Sequence, residues 1–294
     1  MGILKYINAG DLSIGYEESG NPNGIPVILL HGFPYDVRTY DEVVTILSTG
    51  NFRIIVPYLR GFGPTRFLSG STIRSGQQAA LASDLVALMD ALRIKNAILG
   101  GYDWGGRAAC IVAALFPDRA RGLVSVAGYN IQNIAKYSEP AAPEIEILNW
   151  YQYYFHCERG RLGLTRYRKE LCRLLWSHWS PTWKFDDETY EATAISFTTP
   201  DFVDIVVHSY RHRYGLETGD PKFEYMEEAL LTQPVIKTPA IVLDAEADGV
   251  EPIAGTGKDA MRFTGKYERI IVKAGHNVPQ EAPLEFARAI TTFI

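Results

Sequence analysis

Residues 97–115 read AILGGYDWGGRAACIVAAL, and this stretch decides how the chain folds. The apolar residues 97–99 are typical of a buried strand, and the long apolar run after Gly106 is typical of a helix. Glycines stand close on both sides of Asp103, where they allow a sharp turn without a side-chain clash. The pattern therefore predicts a strand, a tight turn centred on Asp103, and a helix.

A reactive residue at such a strand-to-helix turn is called a nucleophile elbow, and the residue is usually Ser. Here it is Asp103. A carboxylate nucleophile attacks carbon and forms an alkyl ester, so Asp103 predicts displacement at carbon in place of acyl transfer. The alternative is that Asp103 only caps the following helix, a position that favours Asp.

The composition excludes several classes of function. The chain has 294 residues, of which 47% are hydrophobic and 21% charged, and its net charge of −5 is spread along the sequence. This balance argues against nucleic acid or a membrane surface as partner. Three cysteines without a C-x-x-C pair fit a reducing compartment. With no apolar run long enough for a membrane span and no signal-peptide pattern, we expect a cytoplasmic protein. The sequence leaves open whether the protein forms a homo-oligomer.

Apolar runs and helical periodicity alternate along most of the chain. Strands are predicted at 3–8, 12–17, 27–30, 52–56, 96–100, 123–127, 240–243 and 269–272. Helices are predicted at 36–48, 76–92, 252–263 and 280–293. This alternation predicts an α/β fold with a mostly parallel eight-stranded sheet and helices on both faces.

Between residues 130 and 235 the alternation stops, and the segment is aromatic-rich and helix-like. We expect a core domain formed by 1–129 and 236–294, with 130–235 inserted as a helical lid over the carboxyl ends of the strands. The alternative is a second structural domain with no part in catalysis.

An ester on Asp103 needs a base that activates water and an acid that orients the base. His276, in the loop after the last predicted strand, is the candidate base. Asp248, on the loop after the strand at 240–243, is the candidate acid, with Asp244 and Glu246 as competitors.

The run His31-Gly32-Phe33-Pro34 follows the strand at 27–30. Backbone N–H groups of Phe33 and Trp104 are predicted to form an oxyanion hole. These donors would stabilise ionised Asp103 first and the tetrahedral oxyanion later.

Three motifs, H-G-F-P at 31–34, G-Y-D-W-G-G at 101–106 and G-H at 275–276, occur in the order and spacing of a known family. With them the chain resembles the epoxide-hydrolase branch of the α/β-hydrolase superfamily over nearly its whole length. The resemblance implies the α/β-hydrolase fold and an Asp103–His276–Asp248 triad.

The family uses two lid tyrosines to hydrogen-bond the epoxide oxygen. Residues 150–155 (WYQYYF) and 208–211 (HSYR) resemble its two lid motifs, which implies these roles for Tyr151 and Tyr210. A phenol, with a pKa near ~10, stays neutral and can donate. Tyr153 competes with Tyr151.

The implied reaction converts a small-molecule epoxide to a vicinal diol without a cofactor. Substrate contacts are expected from the side chains His31, Pro34, Arg107, Gln152 and Tyr153. His208 and His212 have a spacing that could bind metal on a helix, but no Glu follows His208, and we expect no metal site.

Two other functions remain open at this point. Haloalkane and haloacid dehalogenases use the same Asp–His–acid machinery, and Trp104 could bind a halide. Fluoroacetate dehalogenases carry two Arg residues where this chain has Trp104 and Arg107, and their fluoride-binding lid residues are replaced here by Gln152 and Tyr153. A non-catalytic small-molecule receptor on the same fold is the third possibility.

Overall fold

A single sheet forms the centre of the computed structural model, which describes residues 2–253 and 259–294. Its strands are β1 (Ile3–Ala9), β2 (Leu12–Gly20), β3 (Ile25–Leu30), β4 (Phe52–Pro57), β5 (Arg66–Phe67), β6 (Ala97–Gly101), β7 (Ala120–Val126), β8 (Ala240–Ala245) and β9 (Tyr267–Val272).

The strand order is β1-β2-β4-β3-β6-β7-β8-β9, with β5 paired to β2. From β4 to β9 along this order the neighbours are parallel, whereas β1 and β2 are antiparallel. The predicted α/β fold with a mostly parallel sheet is confirmed. The short β5 is an addition to the predicted eight strands, since two residues carry no periodicity to recognise.

The described residues also form α-helices. They are α1 (Asp41–Leu47), α2 (Gln78–Ala91), α3 (Asp103–Leu115), α4 (Pro143–Glu146), α5 (Trp150–Phe155), α6 (Glu158–Arg166), α7 (Arg168–Trp179), α8 (Asp187–Ala194), α9 (Phe202–Arg213), α10 (Glu224–Leu231), α11 (Val278–Glu281) and α12 (Pro283–Thr291).

Three predicted helices differ in detail. A 3-10 turn, Val37–Tyr40, precedes α1. The last predicted helix is divided into α11 and α12, because Pro283 has no N–H to continue the backbone ladder. Of the helix predicted at 252–263, residues 254–258 lie outside the described residues, and the adjoining part contains only the 3-10 turn Ala260–Arg262.

Seven helices, α4 to α10, lie between β7 and β8 in the chain. No strand falls within 130–235, all of which the structure describes. This helical insertion contacts the loop after β3: the Trp176 indole N–H donates to the Pro34 carbonyl at 2.8 Å, and the Ser196 hydroxyl donates to Asp36 at 2.6 Å. The insertion therefore lies over the carboxyl end of β3. Within the described ranges, no helix has both the length and the apolarity to span a bilayer.

Candidate active site

The turn at Asp103 is as sharp as the sequence predicts. β6 ends at Gly101 and α3 begins at Asp103, whose φ of +49° is unusual for a residue with a side chain. Glycine is required around it, because a Cβ on Gly105 would lie 2.0 Å from the Leu30 carbonyl oxygen. A Cβ on Gly32 would lie 2.7 Å from Asp103 Oδ1. Backbone strain of about 1–3 kcal/mol at such a position is typical of functional sites.

The Asp103 carboxylate is nearly enclosed, with its side chain 8% exposed. The backbone N–H of Phe33, one of the two donors expected to form the oxyanion hole, donates to Oδ1 at 2.8 Å. The Phe33 ring stacks on Trp104 with centroids 5.6 Å apart. Among the described residues, the Trp104 N–H makes no hydrogen bond to Asp103, so the second arm stays a prediction.

His276 and Asp248 form a buried pair. Nδ1 of His276 lies 3.0 Å and 3.2 Å from the two Asp248 carboxylate oxygens. Asp248 Oδ1 also accepts the backbone N–H of Val250 at 2.8 Å, which fixes the carboxylate in its loop. The competing acids lie elsewhere: Asp244 pairs with Arg269 on β9, and Glu246 is exposed. The structure thus brings Asp248, and neither competitor, to His276.

The surroundings of His276 favour its charged form. Burial lowers the pKa of the imidazole, but the adjacent Asp248 carboxylate, with smaller contributions from Asp103 and Glu251, raises it to about 9. Nε2 of His276 is buried and has no hydrogen-bond partner within 2–253 and 259–294. The second ring nitrogen is therefore available to a water molecule or substrate.

Tyr151 on α5 and Tyr210 on α9 meet edge to face, with ring centroids 5.4 Å apart. Both are buried, and burial raises the pKa of each phenol above its ordinary value, with a smaller raising contribution from Asp103 and lowering contributions from Arg213 and Arg107. The centre of the Tyr210 ring lies 5.8 Å from that of Phe33, whose N–H binds Asp103, and 6.2 Å from that of Trp104. The Tyr210 hydroxyl has no partner in the described part of the chain. Two neutral phenols thus lie beside the buried carboxylate.

Gln152 holds Tyr151 in place. Its Nε2 donates to the Tyr151 hydroxyl at 3.2 Å and to Asn149 at 2.6 Å. Its Oε1 accepts from Arg213 Nη1 at 2.8 Å and from the Tyr214 hydroxyl at 3.3 Å. Gln152 therefore positions a phenol, and each of its amide atoms already has a protein partner.

Tyr153 does not join this group. It is 38% exposed, and its hydroxyl bonds to Glu146 at the surface. The reason is helical geometry: α5 places residues two positions apart on different sides, whereas an extended segment would place them on the same side.

His31, Pro34 and Arg107 lie close to the elbow in different settings. His31 is buried, its Nδ1 lies 2.9 Å from the Gly32 carbonyl, and its Nε2 accepts the N–H of Leu59 at 3.1 Å. Burial lowers the pKa of His31 to about 4, so its imidazole is neutral and links the loop after β3 to the loop after β4 by hydrogen bonds. Pro34 offers its carbonyl to the helical insertion. Arg107 Nη2 lies 3.7 Å from Asp103 Oδ2.

Arg213 is a site residue that sequence reasoning missed. It is buried at the end of α9, and its guanidinium lies 5.1 Å from the centre of the Tyr210 ring. Its position three residues after Tyr210 could have revealed it, because residues i and i+3 share a helix face.

No cluster of three or more His, Cys, Asp or Glu side chains in ranges 2–253 and 259–294 has a metal-binding arrangement. The rings of His208 and His212 stack 5.7 Å apart. His208 is engaged with the backbone, since its Nδ1 accepts the Gly76 N–H at 3.0 Å and its Nε2 lies 3.1 Å from the Thr218 carbonyl.

The sequence and the fold were compared with those of known proteins. The profile of a family described as "alpha/beta hydrolase fold" matches residues 25–283. The crystal structure of a "putative epoxide hydrolase" from Klebsiella pneumoniae is 44% identical with a TM-score of 0.97, and the match covers 99% of this chain and 96% of that one.

Two curated relatives are more distant or partial matches. Epoxide hydrolase A from Mycobacterium tuberculosis is 22% identical over 99% of this chain and 96% of its own length. Epoxide hydrolase 3 from Siraitia grosvenorii is 36% identical over 50% of this chain. That second match spans 44% of the relative, less than half of its length.

Proposed function

Because the chain belongs to the α/β-hydrolase superfamily and to its epoxide-hydrolase branch, we propose that it hydrolyses an epoxide to a vicinal diol through an alkyl ester on Asp103. The reaction proceeds in two steps, ring opening and ester hydrolysis. Each step uses a different subset of the buried groups around the elbow.

In the first step Asp103 attacks a ring carbon. Oδ1 is bound by the Phe33 N–H, so Oδ2 is the oxygen free to attack. The C–O bond of the ring breaks as the Asp103–carbon bond forms, and the ring oxygen gains negative charge.

Tyr151 and Tyr210 stabilise that oxygen. Their phenols are buried and remain neutral, so each can donate a hydrogen bond, and one transfers its proton to the departing alkoxide. Gln152 orients Tyr151 for this role.

In the second step His276 removes a proton from a water molecule that attacks the ester carbonyl. Nδ1 bonded to Asp248 leaves Nε2 as the basic atom. The N–H groups of Phe33 and Trp104 stabilise the oxyanion, and the ester then breaks to release the diol.

The observation that carries this proposal is the unpartnered, buried hydroxyl of Tyr210 beside Tyr151 and Asp103. An unpaired buried hydroxyl costs about 1–3 kcal/mol, and an epoxide oxygen would satisfy it. A departing halide needs no proton transfer, whereas the alkoxide formed from an epoxide does.

A single turnover in heavy-oxygen water tests the covalent step. With enzyme in excess over styrene oxide, the new diol oxygen should come from Asp103 and carry no label, and a second turnover of the same enzyme should release label. Direct incorporation from solvent in the first turnover would exclude the ester. A parallel assay with chlorobutane, in which released halide is detected, distinguishes epoxide hydrolysis from dehalogenation.

A haloalkane or haloacid dehalogenase is the second candidate function. Trp104 favours it, because its indole N–H is buried without a partner among the described residues and could bind a halide. Halide release without diol formation would establish this alternative in place of the epoxide reaction.

We further propose the domain division given by the sequence, with 1–129 and 236–294 as the core and 130–235 as the lid. The contacts of Trp176 with Pro34 and of Ser196 with Asp36 support a lid that covers the elbow.

A further inference from the structure

Arg213 carries polar atoms that the protein leaves without partners. The residue is 7% exposed, and Nη1 donates to Gln152 Oε1 at 2.8 Å. Nε and Nη2 are buried and have no acceptor within the described ranges. Since buried guanidinium N–H groups are costly when unpaired, this part of the site lacks an acceptor.

A second buried guanidinium lies beside the nucleophile. Arg107 is 8% exposed, and its Nη2 is 3.7 Å from Asp103 Oδ2, too far for a hydrogen bond. Burial lowers the pKa of Arg107, and the positive charge of Arg213 lowers it further, so the two guanidinium groups lie within electrostatic range of each other.

Neither guanidinium has a carboxylate partner at hydrogen-bond distance. Asp103 is the nearer carboxylate, and it becomes neutral once it is alkylated. Glu251 is within electrostatic range of both arginines, and burial raises its pKa to about 6, but it forms no ion pair with either of them in the described ranges. A substrate anion would supply the acceptor that Nε and Nη2 of Arg213 lack.

We propose that the substrate is an epoxide bearing a carboxylate, which Arg213 and Arg107 bind. This inference rests on the proposed function and names its substrate class. The carboxylate lies on a ring carbon or within about two bonds of it, because Arg107 reaches the same region as the attacking oxygen of Asp103. The arginines also offset the repulsion between Asp103 and the incoming anion. The product is a dihydroxy acid, and the carboxylate itself is unchanged.

The test compares epoxy acids with their uncharged amides. Oxirane-2-carboxylate, 2,3-epoxybutanoate and 3-phenyloxirane-2-carboxylate are each assayed beside the primary amide, and kcat/KM is measured for every pair. We expect Arg213→Met and Arg107→Met to lower the acid-to-amide ratio about 100-fold, the usual effect of removing a buried partner of a charge. Because the acid-to-amide ratio of kcat/KM is compared between variant and unmodified protein, the different intrinsic reactivities of the two epoxide rings cancel.

The matched control is Arg161→Met, because Arg161 pairs with Asp204 at the surface of the helical insertion. Its ratio should equal that of the unmodified protein. Arg213 also contacts Gln152, and a loss of Tyr151 positioning would lower kcat/KM for acid and amide equally. An equal loss on both substrates would overturn the proposal and assign Arg213 to the ring-opening phenols.

A binding measurement separates this inference from the proposed function. Cyclopropanecarboxylate keeps the ring and the charge but lacks the reactive oxygen, and its amide lacks the charge. Calorimetry should detect the acid and not the amide, with binding lost in Arg213→Met. If the acid binds but no epoxide is hydrolysed, the anion site stands and the epoxide reaction fails. If neutral epoxides are hydrolysed without acid preference and the acid does not bind, this inference fails while the epoxide reaction stands.

Discussion

In the proposed reaction, the pH dependence of ester hydrolysis is set by the His276–Asp248 pair. His276 must be neutral to act as a base, but Asp248 raises its pKa to about 9. At pH 7, below that value, most of the free enzyme has a protonated His276. Alkylation removes the charge of Asp103, which is one of the groups that raise the pKa of His276. The pKa in the ester intermediate should therefore lie between 6.5 and about 9.

Below that pKa the rate constant for ester hydrolysis should fall tenfold per pH unit, whereas ring opening does not require neutral His276. Asp248→Asn removes the main group that raises the pKa, and burial then lowers the pKa of His276 toward or below 6.5. The profile of this variant should be flat above pH 7, with a plateau lower by about 10²–10⁴, the typical contribution of general-base catalysis.

Rapid quench followed by intact-protein mass measurement gives the decay of the ester between pH 6 and pH 10. The variant and the unmodified protein are measured under the same single-turnover conditions. If the unmodified protein shows the same decay rate across this range, or if Asp248→Asn keeps the original midpoint, the assignment of His276 as base is refuted.

Three other variants test separate parts of the site. His276→Gln should trap the ester on Asp103, detected as a mass increase equal to one substrate; an unmodified mass after substrate depletion would contradict the two-step reaction. Tyr151→Phe with Tyr210→Phe should lower epoxide opening below detection while leaving any halide displacement intact, and diol formation by this double variant would remove the phenols from the mechanism. Gly32→Ala places a methyl group 2.7 Å from Asp103 Oδ1 and should lower the free energy of unfolding by about 1–3 kcal/mol. It should also lower the activity, and urea denaturation and diol formation measure the two effects. Unchanged stability would mean that the loop moves aside.

Local patterns were sufficient to predict much of the fold. The buried strands β3, β6 and β8 are short apolar runs, and the turn at Asp103 is marked by glycines that close packing requires. Such features depend on neighbours in sequence, which is why a single sequence reveals them. The strand β5 and the division between α11 and α12 depend on one or two residues and were not predicted.

Features that depend on distant contacts were harder to predict. Three candidate acids lie near the end of β8 or just after it, and only the return of the chain after β9 places Asp248 beside His276. Tyr153 shares a side with Tyr151 only in an extended segment, and the helix α5 places Tyr153 at the surface. Arg213 was missed because an arginine at the end of a helix usually faces water. Its burial results from packing between α5 and α9, which no local pattern encodes.

In the proposed reaction, the hydrogen bond between Phe33 and Asp103 lets one fixed donor serve both chemical steps. Because the Phe33 N–H is bound to Oδ1, alkylation at Oδ2 makes Oδ1 the carbonyl oxygen of the ester. Water then attacks that carbonyl, and negative charge develops on the atom that the donor already contacts. The donor does not need to move between ring opening and hydrolysis, which keeps the cost of reorganisation low. The φ of +49° at Asp103 and the close approach of Gly32 maintain this alignment. The strain at the elbow is thus the structural cost of keeping one oxygen of Asp103 bound while the other reacts.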